Sequence, residues 1–331
     1  ITAGAIASAC GELNIALASL AAILLPEGTE PNTDSDLPLR YGRTTRDMKS
    51  LGRTQGLTFA EAPTPDAVNR IGRPHGELAI VGVGPGDRGY LTKDARDALA
   101  NAEDLVGYET YLDLVPDTRP SQVRYASGNR VEIERARQAL DLAVKGRRVA
   151  LVTSGDPGIF AMASAVMEAL EAEPGRWTGL DIAVIPGISA MQTAAARIGA
   201  PLGHDFCTIS LSDIRKPWDI VARRLYAAAR ADFVLALYNP ASQTRREQIQ
   251  QAKVLLLEVR APNTPVVLGR NLGRGNETVT VTTLGAFDPD TIDMRTVLII
   301  GSSQSRTFEG PGGRQWVYTP RTYGPEPDSQ T

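Results

Sequence analysis

From residue 77 onward, short runs of β-branched and aliphatic residues alternate with amphipathic stretches, and this rhythm sets the fold expectation. LAIVGVG reads as a strand, TKDARDALANA as a helix with Thr92 at its N-cap, and DLVGYE as a second strand. EIERARQALDLAVKG places Ile133, Ala136, Leu140 and Val144 at helical spacing, with Gly146 as its stop. RRVALVTSG, a third strand, runs through Gly155-Asp156-Pro157-Gly158 into the helix IFAMASAVMEALEA, and LDIAVIPG, a fourth, precedes the small-residue helix ISAMQTAAARIG. A second series then follows: FCTISLSD, the helix WDIVARRLYAAAR, the strand DFVLALYNP, the helix REQIQQAKVLLLEVR and PVVLGRN. ETVTVTTL alternates like a half-exposed strand, whereas RTVLIIGSS has the unbroken apolar character of a buried one.

Strands that feed glycine-bearing turns and then helices predict an α/β chain. The two series are of similar length, so two α/β domains are expected, residues 77–190 and 191–304, with the break inside 187–202. Residues 305–331, rich in Gly and Pro, form a tail expected to wrap over the domain or fray. Residues 1–76 form an extension. Its apolar start is interrupted by Glu12 and Asn14, the run from Ile15 to Leu25 is too short to span a bilayer, and the segment reads as a buried or partner-facing helix ending at Pro26. Residues 26–76 have the composition of a linker. The first residue is Ile rather than Met, as in a fragment of a longer polypeptide.

Composition narrows the chemistry. At 331 residues and 42% hydrophobic content there is enough chain for two separate cores. The net charge of -3 gives no whole-chain electrostatic case for nucleic acid or for an anionic membrane. Two cysteines, Cys10 and Cys207, and two histidines, His75 and His204, exclude a disulfide framework, a Cys/His zinc site and HExxH, so no metal site is expected. Chemistry is left to carboxylates, hydroxyls, backbone amides or a bound cofactor.

The first strand ends in VGVGPGDRGYLT. A dinucleotide fingerprint needs G-x-G-x-x-G, but here glycines stand at 82, 84 and 86 and Asp87 holds the place of the third. Pro85 removes a backbone donor, and no Gly-Lys-Ser/Thr follows to make a P-loop. An acidic residue about twenty positions on, Glu103 or Asp104, keeps a nicotinamide oxidoreductase as a rival reading. The turn itself suits a ligand without phosphates at that point, or no ligand at all. Similar turns close other strands: GDPGIF at 155–160, PGISA at 186–190, LSD at 211–213, LYNP at 237–240 and GRN at 269–271. Together they outline a cleft at the strand ends, where open α/β folds place their ligands. Asp156 has two readings, a helix N-cap or a ligand-facing carboxylate in a rigid turn.

VGVGPGD, SGDPGIF and IPGISA, in this order, resemble the tetrapyrrole methylases, which use S-adenosylmethionine in corrinoid and sirohaem synthesis. GAPLGHDFCTISLSD, ALYNPAS and MRTVLIIGSS resemble the branch that methylates C17 of precorrin-3B with ring contraction. The resemblance covers residues 77–306. It implies two α/β domains enclosing S-adenosylmethionine in the cleft between them, in a homodimeric cytoplasmic enzyme. It implies that Pro85, Gly155, Asp156, Pro157, Ile159, Ser189 and Ala190 line the cofactor, completed by Tyr238 and Gly269 from the second domain. The family often has Met or another apolar residue at the position of Tyr238.

Precorrins carry acetate and propionate groups, so the substrate mouth should present cations that bind carboxylates. Arg215, Arg245 and Arg270 are the first candidates, with Lys216, Arg246 and Arg274 behind them. Asp156 would place negative charge near the sulfonium. Ring contraction moves protons, and His204 has a suitable ordinary pKa, although it serves equally well as a cap on the strand that follows. Within the family, the cobalt-containing substrate of the anaerobic route is the alternative; a corrinoid-binding scaffold is the non-enzymatic one. The extension is open to being the end of another cobalamin-pathway domain fused upstream.

Overall fold

The computed structural model describes residues 76–116, 118–128 and 131–323. The expected helix and linker of the extension, with Cys10 and His75, lie outside the described residues.

Five parallel strands form the first sheet: β1 (Glu77–Gly82), β2 (Asp104–Tyr108), β3 (Val123–Ser127), β4 (Arg148–Thr153) and β5 (Asp181–Ile185), in the order β3-β2-β4-β1-β5. Parallel strands need crossovers. These include α1 (Lys93–Asn101) between β1 and β2, the short α2 (Glu109–Leu112) after β2, α3 (Glu132–Ala143) before β4, and α4 (Met162–Ala172) before β5. Thr92 caps α1 as expected, its Oγ1 accepting from the Ala95 amide at 3.1 Å. The period-2 pattern of β1 divides its side chains between two cores. Leu78 and Ile80 join Leu140, Leu151 and Val166 on one face, and Val81 joins Leu99, Leu105 and Val152 on the other.

The linking segment carries α5 (Ala190–Ile198) and β6 (Gly199–Ala200). The second sheet comprises β7 (Phe206–Ser210), β8 (Val234–Tyr238), β9 (Pro265–Arg270), β10 (Thr278–Thr283) and β11 (Thr296–Ile300), in the order β10-β9-β11-β8-β7. Only β7 and β8 run parallel; the other pairs are antiparallel. Helices α6 (Trp218–Arg230) and α7 (Glu247–Leu257) cover one face through Leu225, Ile249 and Leu256. Helix α5 covers the other with Met191, Ala194 and Ile198, so it shares the second sheet's core.

The structure adds to the sequence reading at three places. VRYAS was unassigned and forms the edge strand β3, whose brevity and exposed positions hid its pattern. The expected helix IFAMASAVMEALEA begins only at Met162, because Phe160 is left-handed at φ 53° and Ala161 is extended. In the tail, β12 (Arg306–Glu309) and β13 (Gln315–Tyr318) form a hairpin, and β13 pairs in parallel with β6. No helix among the described residues is long and apolar enough to cross a membrane.

Candidate active site

Three turns converge at the carboxyl ends of β4, β1 and β5, which are neighbours in the sheet. Backbone holds the first two together: the Gly155 amide donates to the Gly84 carbonyl at 2.8 Å, and the Gly84 amide returns a bond to Gly155 at 3.3 Å. The third closes so tightly that a Cβ at Gly187 would lie 2.2 Å from the Gly155 carbonyl oxygen, and one at Gly82 would lie 2.8 Å from the Gly187 nitrogen. Glycine at these positions is therefore demanded by the approach of backbone to backbone.

Asp156 locks the arrangement. Its Oδ1 accepts from the Gly158 amide at 2.8 Å within its own turn, and its Oδ2 accepts from the Gly187 amide at 3.1 Å across to the next. It is not the N-cap of α4, which starts six residues later. Beyond Gly187, buried Ser189 caps α5 in a capping box: its Oγ accepts from the Gln192 amide while Gln192 Oε1 accepts from the Ser189 amide. The Met191 amide donates to the Tyr238 hydroxyl at 3.0 Å, tying the end of β8 to the start of α5. Burial pushes the Tyr238 phenol up from its ordinary range. Pro85 and Pro157 are buried, whereas Gly155, Asp156, Ile159 and Ala190 keep partial exposure along the same rim.

Phe160 ends this rim; the sequence places it both at the close of the GDPGIF turn and at the head of a helix, and gives it no role of its own. A bulky residue at φ 53° stores about 1–3 kcal/mol of backbone strain, yet 48% of the residue faces solvent. Its ring lies 5.5 Å from that of Tyr238 at a 56° tilt, and Lys216 Nζ sits 5.9 Å above it. The Lys216 ammonium is pulled below its ordinary range by burial first and by the Arg224 charge second.

The second sheet brings some expected residues to this place and not others. Gly269 faces α5, where a Cβ would come 3.0 Å from that of Ala194; it is a packing glycine rather than part of an open wall. Arg245 is 8% exposed and donates to the Leu211 carbonyl at 3.1 Å and the Asn239 carbonyl at 2.8 Å, so it clamps the ends of β7 and β8 rather than reaching out as a carboxylate-binding arm. Arg270 pairs with Asp293, its Nη2 donating to Oδ2 at 2.8 Å. Arg215 is well exposed and reaches Glu132 at 2.8 Å, a bond from the second half of the chain to the first. His204 lies apart from these residues. The register of β7 on β8 pairs Phe206 with Val234 and Ser210 with Tyr238, so His204 stands before the opposite end of the sheet, roughly 13 Å of strand away. There its Nδ1 accepts from the Asp205 amide at 2.8 Å and its ring lies against Tyr323, which makes it the cap of the following strand.

One corner of the cleft is shut by backbone. A Cβ at Gly86 would lie 2.6 Å from the Gly273 carbonyl oxygen, and Arg274 Nε donates to the Pro85 carbonyl at 3.4 Å. Glu277 secures this corner: Oε1 accepts from Arg197 Nε at 2.5 Å, and Oε2 accepts from the Gly273 amide at 2.6 Å. The Arg197 hydrogen bond, aided by the Gly273 amide and the Arg197 charge and opposed by burial, holds the Glu277 carboxyl below the usual range. Arg197 also lies 5.8 Å over the Tyr90 ring of the first half.

The turns at 83–87, 154–160 and 186–190 contain two carboxylates, Asp87 and Asp156, and no Lys or Arg. That donor set suits a cationic, phosphate-free ligand better than a pyrophosphate. Among the described residues no group of three or more His, Cys, Asp or Glu side chains is placed to hold a metal ion.

The profile of the Tetrapyrrole (Corrin/Porphyrin) Methylases matches residues 77–288. The chain is 48% identical over 248 residues to a Sinorhizobium sp protein named precorrin-3B C(17)-methyltransferase, covering 75% of this chain and 97% of that one. It is 52% identical over 252 residues to the Mycobacterium tuberculosis cobalamin biosynthesis protein CobIJ, where it spans only 48% of the longer protein. The crystal structure of the methyltransferase CobJ superposes with a TM-score of 0.70 at 44% identity, covering 74% of this chain and all of that one. The matched segment takes in all three turns, Phe160, Tyr238 and the Gly86–Gly273 corner, and this chain belongs to the tetrapyrrole methylases.

Proposed function

We propose that this chain transfers a methyl group from S-adenosylmethionine to C17 of precorrin-3B, with contraction of the macrocycle to precorrin-4. The observation that carries this reading is the 48% identity maintained across 97% of the Sinorhizobium precorrin-3B C(17)-methyltransferase. S-adenosylmethionine would supply a methyl already activated on a sulfonium. What remains for the protein is to hold donor and acceptor in line and keep water out, tasks for a rigid cleft.

We assign the donor to the rim formed by Pro85, Gly155, Asp156 and Pro157 on one side and Ile159, Ser189 and Ala190 on the other, with Tyr238 at its edge. The rigidity described for these turns supports the assignment, since Asp156 fixes two of them and glycine contacts fix the third. The fixed Asp156 carboxylate then supplies negative potential to a cationic ligand. Arg215 and Arg270 are assigned to substrate carboxylates that displace Glu132 and Asp293 from them. A cytoplasmic homodimer, acting beside or fused to other cobalamin-pathway enzymes, completes the reading; the CobIJ relative supports the last part.

Calorimetry with S-adenosylhomocysteine, followed by mass spectrometry of products from precorrin-3B and cobalt-factor III, tests the proposal. S-adenosylhomocysteine binding and a singly methylated, ring-contracted product from the metal-free substrate are expected. Turnover of the cobalt substrate alone would move the enzyme to the anaerobic route, and binding of NADH in place of S-adenosylhomocysteine would overturn the reading.

A further inference from the structure

Phe160 is held in a conformation that a glycine would adopt without strain and an aromatic residue adopts rarely. Core packing does not account for this: α4 begins two residues later, nearly half of the residue is left in solvent, and the ring meets Tyr238 without joining any buried cluster. The strained backbone aims an apolar ring out of the Asp156 turn, beside the rim assigned to the methyl donor. The ring meets Tyr238 from the second sheet, and Lys216, following Arg215, sets a cation 5.9 Å above it. Aromatic surface with an ammonium over it fits a ligand that is broad, unsaturated and fringed with carboxylates.

Resting on the function proposed above, we infer that Phe160 is a substrate-positioning residue: its ring packs against the tetrapyrrole macrocycle while Lys216 meets one of the carboxylate arms. The donor rim is held without this ring, because its turns are fixed by Asp156 and backbone contacts and Tyr238 at its edge is held by the Met191 amide. Loss of the ring should therefore act on one ligand and spare the other. Strain at φ 53° is then the cost of holding the ring toward the acceptor.

The experiment uses the full chain and the variants Phe160→Gly and Phe160→Tyr. Glycine removes the ring and relieves the backbone, so Phe160→Gly should melt no lower than the parent and bind S-adenosylhomocysteine within about two-fold of it. Its KM for precorrin-3B should rise about ten-fold or more with a smaller change in kcat, and Phe160→Tyr should restore the parental KM. A precorrin-3B KM within about two-fold of the parent in Phe160→Gly would overturn the inference. So would an equal loss of S-adenosylhomocysteine affinity, which would make the residue part of the donor turn. Failure of the parent itself to bind S-adenosylhomocysteine would instead overturn the methyltransferase reading, so the two failures are told apart.

Discussion

The Asp156 carboxylate accepts the Gly187 amide at 3.1 Å, and this bond joins the turn after β4 to the turn after β5. With the Gly158 amide on its other oxygen, the side chain serves both as a charge in the cleft and as a brace between two walls. Asp156→Ala should cost about 1–3 kcal/mol of stability, because two amides lose a charged acceptor. Activity should fall about 100-fold or more, since the walls then drift relative to the reacting atoms. Urea unfolding and steady-state kinetics check the two effects together; parental activity on a destabilised protein would make Asp156 a structural brace alone.

Gly187→Ala should be more damaging than its single methyl suggests. The added carbon would lie 2.2 Å from the Gly155 carbonyl oxygen, so the turns must separate. We expect a loss of about 1–3 kcal/mol in stability and a marked loss of S-adenosylhomocysteine affinity by calorimetry. Unchanged affinity would show that the donor does not touch these turns.

Arg245 and Arg215 should respond in opposite ways. Arg245→Ala leaves the carbonyls of Leu211 and Asn239 without their buried donor and should destabilise by about 2–4 kcal/mol. Arg215→Ala removes only an exposed ion pair with Glu132, worth about 0–1 kcal/mol, and should instead raise the substrate KM. Melting temperatures and kinetics on the two variants would sort them; equal stabilities would contradict the buried clamp.

Acid should loosen the Gly86–Gly273 corner. Glu277 has a folded pKa below its ordinary 4.5, so the stability it lends is complete above 4.5 and drains away as the pH falls through the folded value. Glu277→Gln removes this contribution. Its melting temperature should lie below the parent's at neutral pH and converge with it in acid; a constant offset down to about pH 3 would rule the carboxylate out as the source.

His204→Ala should leave kcat within about two-fold of the parent, since the imidazole caps β7 at the end of the sheet away from Tyr238. A fall of about 100-fold or more with a shifted pH profile would restore it as a proton-transfer group.

Much of the architecture was legible because the central strands of both sheets are apolar and bounded by turn residues. Trp218–Arg230 matches its expected helix residue for residue, and Thr296–Ile300 is buried throughout as its composition required. The strand VRYAS was not legible, because an edge strand with mostly exposed side chains carries no strong period. GDPG marked a turn at the end of β4, but the bonding of Asp156 depends on where Gly187 lies, and sequence separation conceals that neighbour. Phe160 was hidden by an apolar helix that begins two residues beyond it. Arg245 misled for a related reason. Its residue type suggests an open cationic arm, while its burial is decided by the carbonyls that happen to end β7 and β8.

The hairpin of β12 and β13 bears on the order in which the chain can fold. Its pairing with Gly199 and Ala200, and the bond from Thr319 Oγ1 to the Pro201 carbonyl at 2.7 Å across 118 positions, fasten the segment that joins the two sheets. Helix α5 has core partners once β8 and β9 are made, but β6 cannot be paired during synthesis until β13 and Thr319 have left the ribosome, whereas the first sheet has all of its strands by residue 185. Pairing across so many positions is entropically slow, so this fastening of β6 belongs to the end of folding.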